Sequence, residues 1–132
     1  HHVHPTAMKL CCCCAQERIV LITDAMQAAG MPDGSYTLCG QKVEMRGGIV
    51  RTASGSLAGS TLSVDAAVRN MVELTGISPE NAIHMASLHP ARLLGIDHQL
   101  GSLKAGKRAS AIALNGGLHL QRIWIQGQVF PL

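Results

Sequence analysis

Asp24 is the first residue whose type and position could support catalysis. It directly follows residues 19–23, a run of five residues that favour strands. This run contains Val and Ile and predicts a strand buried on both faces, as in parallel sheets. Parallel α/β folds place their chemistry at the carboxyl ends of strands. Asp24 could therefore act as a general base or contact a metal ion, or it could cap the loop by accepting backbone hydrogen bonds.

Histidines form a second group of candidates. His2 and His4 precede the helix that leads into the predicted strand, so they can lie on the same rim as Asp24. His1 and His2 also fit an expression tag, and His4 also fits a surface or capping role. The remaining histidines show none of the spacings that are typical of zinc sites: His84, His89, His98 and His119. A zinc site made by this chain alone is therefore not expected.

The loop at residues 55–60 is the third candidate. Its glycines would let backbone N–H groups approach an anion, and the amino terminus of the helix that follows favours negative charge. The loop lacks the Lys of a phosphate-binding Walker motif, and its serines lack the GxSxG context of a nucleophile. A flexible connection is the alternative interpretation.

Four of the five cysteines are consecutive, at positions 11–14. Neighbouring side chains on a helix point about 100° apart, so the four cannot converge on one ion. We interpret them as small apolar residues in a reducing compartment.

The elements that must position these candidates follow from periodicity and turn residues. Pro5 predicts a short helix to about Cys14, with its apolar face formed by Ala7, Leu10, Cys11 and Cys14. Residues 18–24 then form the buried strand. Three short strands are predicted at 36–39, 42–46 and 49–51. A first helix is predicted from a cap at Ser60, Thr61 or Ser63 to Thr75. A second helix is predicted to begin at Ser78, and a third at residues 89–95. Strands are predicted at 109–114 and 118–126, with a turn before Val129.

Composition limits the class of protein. The chain has 132 residues, of which 47% are hydrophobic and 14% charged, against about 25% charged in a usual domain. Low charge and few aromatic residues suggest that missing sequence or a second subunit covers part of the surface. A start at His1 fits a fragment, a processed product or a trimmed chain. The net charge of +3 and the lack of interleaved aromatics disfavour nucleic acid binding, and no run approaches the ~20 apolar residues of a membrane span. A cytoplasmic protein is expected.

Short motifs along nearly the whole chain are more specific together than singly. They are His2-Val3, Leu21-Ile22-Thr23-Asp24-Ala25, Gly30, Leu57-Ala58-Gly59-Ser60, Val68-Arg69-Asn70-Met71-Val72, Met85-Ala86-Ser87-Leu88-His89-Pro90-Ala91 and Leu100-Gly101-Ser102-Leu103-Lys104-Ala105-Gly106-Lys107. In this order they resemble the N-acetylglucosamine-6-phosphate deacetylase family of the amidohydrolase superfamily. The Cys run, residues 24–30 and the last strand are most similar to the N-acetylgalactosamine-6-phosphate deacetylase branch.

The resemblance implies an α/β fold, with residues 1–95 as the last part of a (β/α)8 TIM barrel and residues 96–132 as the terminal strands of a small β-sandwich. A whole barrel needs about 250 residues. The family hydrolyses the acetamide of a 6-phosphorylated amino sugar, with a metal ion that activates water. By match to the family's motifs, Asp24 is the catalytic aspartate and His2 contacts the sugar phosphate. The residues that line the substrate site are then Leu57, Ala58, Gly59 and Ser60.

The family's metal ligands, a Glu and two His, belong to earlier strands, and no residue of this chain replaces them. The resemblance therefore implies a divalent metal such as zinc in the complete enzyme, with ligands outside this chain. A homo-oligomer is also expected. The alternative is a truncated, inactive remnant that folds or self-associates without metal, because an incomplete barrel leaves strand edges and apolar faces exposed.

Overall fold

The computed structural model describes residues 3–131, which form a mixture of helices and antiparallel strands. The first part holds α1 (Pro5–Ala15), a 3-10 turn (Gln16–Arg18), β1 (Gly34–Leu38), β2 (Gln41–Arg46) and β3 (Ile49–Thr52). The second part holds α2 (Val64–Thr75), α3 (Pro79–Ala86), α4 (Leu88–Leu93), β4 (Ala111–Leu114), β5 (Leu120–Ile125) and β6 (Gln128–Phe130).

Helix α1 begins where the sequence predicts, but it buries a different face. Pro5 stands in its first turn, and His4 caps it by accepting a hydrogen bond from the Thr6 amide at 3.2 Å. The predicted face of Ala7, Leu10, Cys11 and Cys14 is wrong, because each of these residues is exposed. Cys12 is buried instead, in a cluster with residues of α2 and α3. Four identical neighbours carry no periodicity, so the position of the packed helices decides which thiol is covered.

Residues 19–24, called the extended segment from here on, begin with Ile19 in the β region (φ −75°, ψ 133°) but belong to no sheet, so the prediction of a strand buried on both faces is wrong. Arg18 ends the 3-10 turn, and Ile22 is 74% exposed. Within residues 3–131, the parallel pairing at this stretch is one isolated bridge between Ala25 and Ser60. A parallel strand is buried by neighbours on both sides. The described chain supplies a neighbour only at the end of the stretch.

The hairpin and third strand predicted after Asp24 are confirmed as one antiparallel sheet in the order β1-β2-β3. Its inner face and the segment that follows Asp24 share the first core. The buried members of this core are Met26, Ala28, Val43, Met45, Val50 and Ala58. The sheet therefore packs on the chain immediately after Asp24 and on the loop at 57–60.

The predicted helices are also confirmed, with Ser63 as the cap of α2 among the three candidates. The Ser63 side chain accepts from the Ala66 amide, and Ser78 caps α3 in the same way through Asn81. Gly76 ends α2 in the left-handed conformation at φ 81°. These helices and α1 enclose the second core, in which Met85 is fully buried. None of the helices within residues 3–131 is long and apolar enough to cross a membrane.

Strands β4, β5 and β6 form a second antiparallel sheet, of which β4 and β5 lie where the sequence predicts strands and β6 was not predicted. Arg69 of α2 connects this sheet to the helices, because its Nη1 donates to the Leu118 carbonyl at 3.0 Å and to Asp65 at 2.7 Å. The division of the chain at residue 96 stays a prediction.

Candidate functional site

Asp24 and the loop at 57–60 are adjacent in the structure. The Ser60 amide donates to the Asp24 carbonyl at 3.0 Å, and the Met26 amide donates to the Ser60 carbonyl at 2.8 Å. The two bonds flank Ala25, which forms a parallel bridge with Ser60. They place the end of the extended segment directly beside the loop.

The backbone at Asp24 turns into the left-handed region, with φ of 50°. Asp tolerates this conformation better than most residues, and it here ends the extended segment. The side chain is exposed. Within residues 3–131, no backbone amide donates to the Asp24 carboxylate, so the loop-capping alternative gains no support. The carboxylate is therefore available to a ligand or to solvent.

Backbone hydrogen bonds attach the loop to its neighbours on both sides, which does not favour the interpretation as a flexible connection. The Ala58 amide donates to the Val50 carbonyl at 3.0 Å, and Leu57 forms an antiparallel bridge with Arg51. The Ser60 hydroxyl accepts a hydrogen bond from the Leu62 amide at 2.9 Å, at the point where the chain leads into α2. The loop thus connects β3 to the capped helix with a fixed backbone path.

A side chain at Gly59 would be strained and tightly packed. Its φ is 76°, and an added Cβ would lie 3.3 Å from Cβ and Cγ of Met26. Met26 is itself buried in the first core. The close approach of the loop to residue 26 therefore depends on glycine.

Among the predicted histidines, His2 lies outside the described residues, and His4 caps α1. His89 is a residue that sequence reasoning did not select. It is 6% exposed, and its Nδ1 lies 2.8 Å from the Ile19 carbonyl oxygen. A single His between apolar neighbours gives no spacing motif, so only the fold reveals this contact.

A divalent metal ion does not fit the residues that the structure describes. From residue 3 to residue 131, no three His, Cys, Asp or Glu side chains come together as a metal site. Asp24 offers a single carboxylate, and cations usually need several protein ligands.

Asp65, in the first turn of α2, has a carboxyl pKa that departs clearly from its usual value. The Ser63 hydroxyl and the Arg69 guanidinium hold the pKa of the Asp65 carboxyl at about 2, below its usual 3.8. The Asp65–Arg69 pair therefore fixes the start of α2, next to the loop, as an ion pair.

The chain matches the model of the Amidohydrolase family over residues 2–130. It is 80% identical over 129 residues to a protein of Escherichia coli strain K12 that has the provisional name N-acetylgalactosamine-6-phosphate deacetylase. The match covers 98% of this chain and 77% of that protein. It is equally similar, at 80%, to the N-acetylgalactosamine-6-phosphate deacetylase of Escherichia coli O157:H7, of which it spans 34%.

Solved structures show the same relation. The N-acetylglucosamine-6-phosphate deacetylase of Pasteurella multocida superposes with a TM-score of 0.94 at 28% identity. That match covers 98% of this chain and 34% of the other. The Mycobacterium smegmatis N-acetyl-D-glucosamine-6-phosphate deacetylase, a mutant in complex with N-acetyl-D-glucosamine-6-phosphate, has a TM-score of 0.88 at 32% identity. This match covers 97% of this chain and 35% of the Mycobacterium smegmatis chain. The chain thus spans about a third of these deacetylases.

Proposed function

Because this chain belongs to the amidohydrolase family, we propose that the complete protein removes the acetyl group from an N-acetylhexosamine 6-phosphate. The sugar is N-acetylgalactosamine 6-phosphate or N-acetylglucosamine 6-phosphate, as in the names of the relatives. In this proposal the chain supplies the catalytic aspartate and one wall of the substrate site. The reaction belongs to amino-sugar catabolism in the cytoplasm.

The observation that carries the proposal is the position of Asp24: its side chain is exposed, and its backbone is hydrogen-bonded to Ser60 of the loop at 57–60. A general base must reach the reacting atoms, and a substrate wall must lie next to it. The hydrogen bond from the Ser60 amide to the Asp24 carbonyl supports the second condition, because it holds the loop next to the residue that carries the carboxylate.

The proposed reaction uses Asp24 twice. Its carboxylate accepts a proton from the water that attacks the acetamide carbonyl carbon. The same carboxyl then gives that proton to the amide nitrogen as the carbon–nitrogen bond breaks. The products are acetate and the protonated amine of the sugar phosphate, because the amine takes up the proton that the new carboxylic acid releases; one water is consumed and the Asp24 carboxylate is regenerated.

The proposed substrate contacts come from the loop at 57–60 and from His2. Leu57, Ala58, Gly59 and Ser60 line the sugar site, and His2 contacts the phosphate. The divalent metal ion of the complete enzyme is assigned to ligands outside this chain. The fold of the complete protein is assigned as a (β/α)8 barrel with a small β-sandwich, of which this chain is the last part.

A second candidate is an inactive remnant that self-associates. Large apolar side chains that face solvent favour it, since Leu103 is 84% and Leu93 is 76% exposed. Such surface drives association when no other segment covers it. A homo-oligomer of the complete enzyme would cover part of the same surface.

The proposal is tested by a graft in which this chain replaces the matching segment of the Escherichia coli O157:H7 relative, called here the grafted protein. Acetate release is measured with both acetylated sugar phosphates and, as a control, with the unphosphorylated sugars. Turnover of a phosphorylated sugar is expected. Soluble, folded grafted protein without turnover would contradict the proposal and favour the remnant.

A further inference from the structure

We propose that His89 is a positioning residue for Asp24, because it holds the opposite end of the extended segment that carries this acid. The inference rests on the proposed function. It adds a residue that neither touches the proposed substrate wall nor belongs to it.

The contact itself is well defined. The His89 side chain is 5% exposed, and its Nδ1 lies 2.8 Å from the Ile19 carbonyl oxygen. A carbonyl can only accept, so Nδ1 carries the proton and donates. The contact joins α4 to a residue 70 positions earlier in the chain.

The other groups near the ring do not explain its burial. The Glu17 Oε2 atom lies 3.8 Å from Nε2, but the Glu17 side chain is 77% exposed and contributes little. The ring of His84 on α3 lies 6.2 Å away, centroid to centroid, and is tilted. The bond to Ile19 is therefore the specific interaction of this side chain.

The extended segment has few other attachments. The Leu21 amide donates to the Met85 carbonyl at 2.9 Å, and the Asp24 carbonyl accepts from Ser60. Residues 19–24 form no strand ladder within the described chain, so these separate bonds, together with the packing of Ile19 and Leu21 against the second core, determine where the segment lies. His89 fixes its beginning, Met85 its middle and Ser60 its end. Loss of the first bond releases the beginning, and small displacements of a catalytic group reduce turnover strongly.

A merely structural role predicts a different result from a positioning role. A structural histidine affects stability, and turnover then follows the loss of folded protein. Loss of a positioning histidine lowers kcat in protein that is still folded. It leaves KM nearly unchanged, because the histidine does not contribute to ground-state binding of the sugar.

The test uses the grafted protein with three variants. His89→Leu removes the donor, and His89→Asn keeps a donor, since the amide nitrogen stands at the position of Nδ1. Val68→Ala is the control for packing, because it removes volume from the second core, against which Ile19 and Leu21 pack, but removes no hydrogen bond of residues 19–24. His89→Leu is expected to lower kcat about tenfold or more, with KM within about twofold. His89→Asn should recover most of kcat, and Val68→Ala should keep it. Equal kcat in His89→Leu and Val68→Ala, or no recovery with Asn, would overturn the inference.

Backbone amide exchange separates this inference from the proposed function. His89→Leu is expected to speed exchange of the Leu21 and Ser60 amides about tenfold or more relative to Val68→Ala. This result does not depend on turnover, and unchanged exchange would overturn the inference. A grafted protein without any deacetylation would contradict the proposed function alone. If His89→Leu fails to fold, His89→Asn is compared with the unsubstituted protein instead. An altered exchange rate of the Leu21 amide in the folded His89→Asn variant would contradict the role of His89 as a hydrogen-bond donor.

Discussion

Asp24 and Ser60 are joined through their backbones, and Met26 completes the connection. The Ser60 amide donates to the Asp24 carbonyl at 3.0 Å, and the Ser60 carbonyl accepts from Met26 at 2.8 Å. The proposed acid and the proposed substrate wall therefore form one unit. A change that displaces the loop should also displace the acid.

Gly59→Ala tests this unit. The substitution is expected to destabilise the grafted protein by more than about 1 kcal/mol, because Ala is strained at φ 76° and its Cβ meets Met26 at 3.3 Å. It should also raise KM for the sugar phosphate. The measurements are thermal unfolding and steady-state kinetics.

Gly40→Ala is the matched control for that substitution. Gly40 has nearly the same φ, 79°, but a Cβ there meets nothing within 4 Å. Gly40→Ala should lose stability through the backbone alone and should keep KM. Equal effects of the two substitutions on KM would show that the Gly59–Met26 contact does not place the loop.

Asp65→Asn tests the start of α2. The Ser63 hydroxyl and Arg69 lower the pKa of Asp65 to about 2, so its stabilisation is complete above about pH 4 and is lost as the pH falls toward 2. The side chain is 30% exposed, which reduces the expected loss at pH 7 to about 1 kcal/mol. Unfolding of the grafted protein at pH 7 and pH 3 checks this.

The pH dependence of the difference is the decisive part of the Asp65 test. The stability gap between the unsubstituted protein and Asp65→Asn should narrow as the pH decreases. Glu73→Gln, an exposed change on the same helix, should leave stability unchanged at each pH. A gap that stays constant from pH 7 to pH 3 would contradict the role of the ionised carboxylate.

The metal assignment gives another prediction. The isolated chain, with the exposed thiols of Cys11, Cys13 and Cys14 replaced by Ala, should retain far less than one zinc ion after dialysis, because residues 3–131 bring no metal site together. The grafted protein should retain metal, and a chelator should abolish its turnover. One tightly held ion per isolated chain would refute this assignment.

The sequence was informative wherever a local signal decides the structure. Ser78 before Pro79 and Gly76 after Thr75 mark helix ends, and the β2–β3 pairing follows from short alternating runs next to Gly47 and Gly48. In these places a cap, a turn or a period of two is sufficient. The resemblance to a family, carried by motifs such as Leu57-Ala58-Gly59-Ser60, is confirmed by the matches to known proteins.

The predictions from sequence failed where contacts between residues distant in the chain determine the structure. Residues 19–24 have the composition of a buried strand, but a strand needs neighbours, and the described chain supplies one only at Ala25. The covered face of α1 depends on where α2 lies, since Cys11–Cys14 are chemically identical. His89 carries no motif for its contact with Ile19, which is 70 residues away. Each error concerns a contact that no local pattern encodes.

Deacetylation by the grafted protein with Asp24→Asn is the most direct test of the central claim. The substitution keeps the shape of the side chain and removes its capacity to accept a proton, so kcat is predicted to fall by about a hundredfold to ten-thousandfold, with KM little changed. Glu73→Gln, which removes a carboxylate far from the loop in sequence, should keep full turnover. Retention of kcat in folded Asp24→Asn would contradict the assignment of Asp24 as the proton-transferring acid.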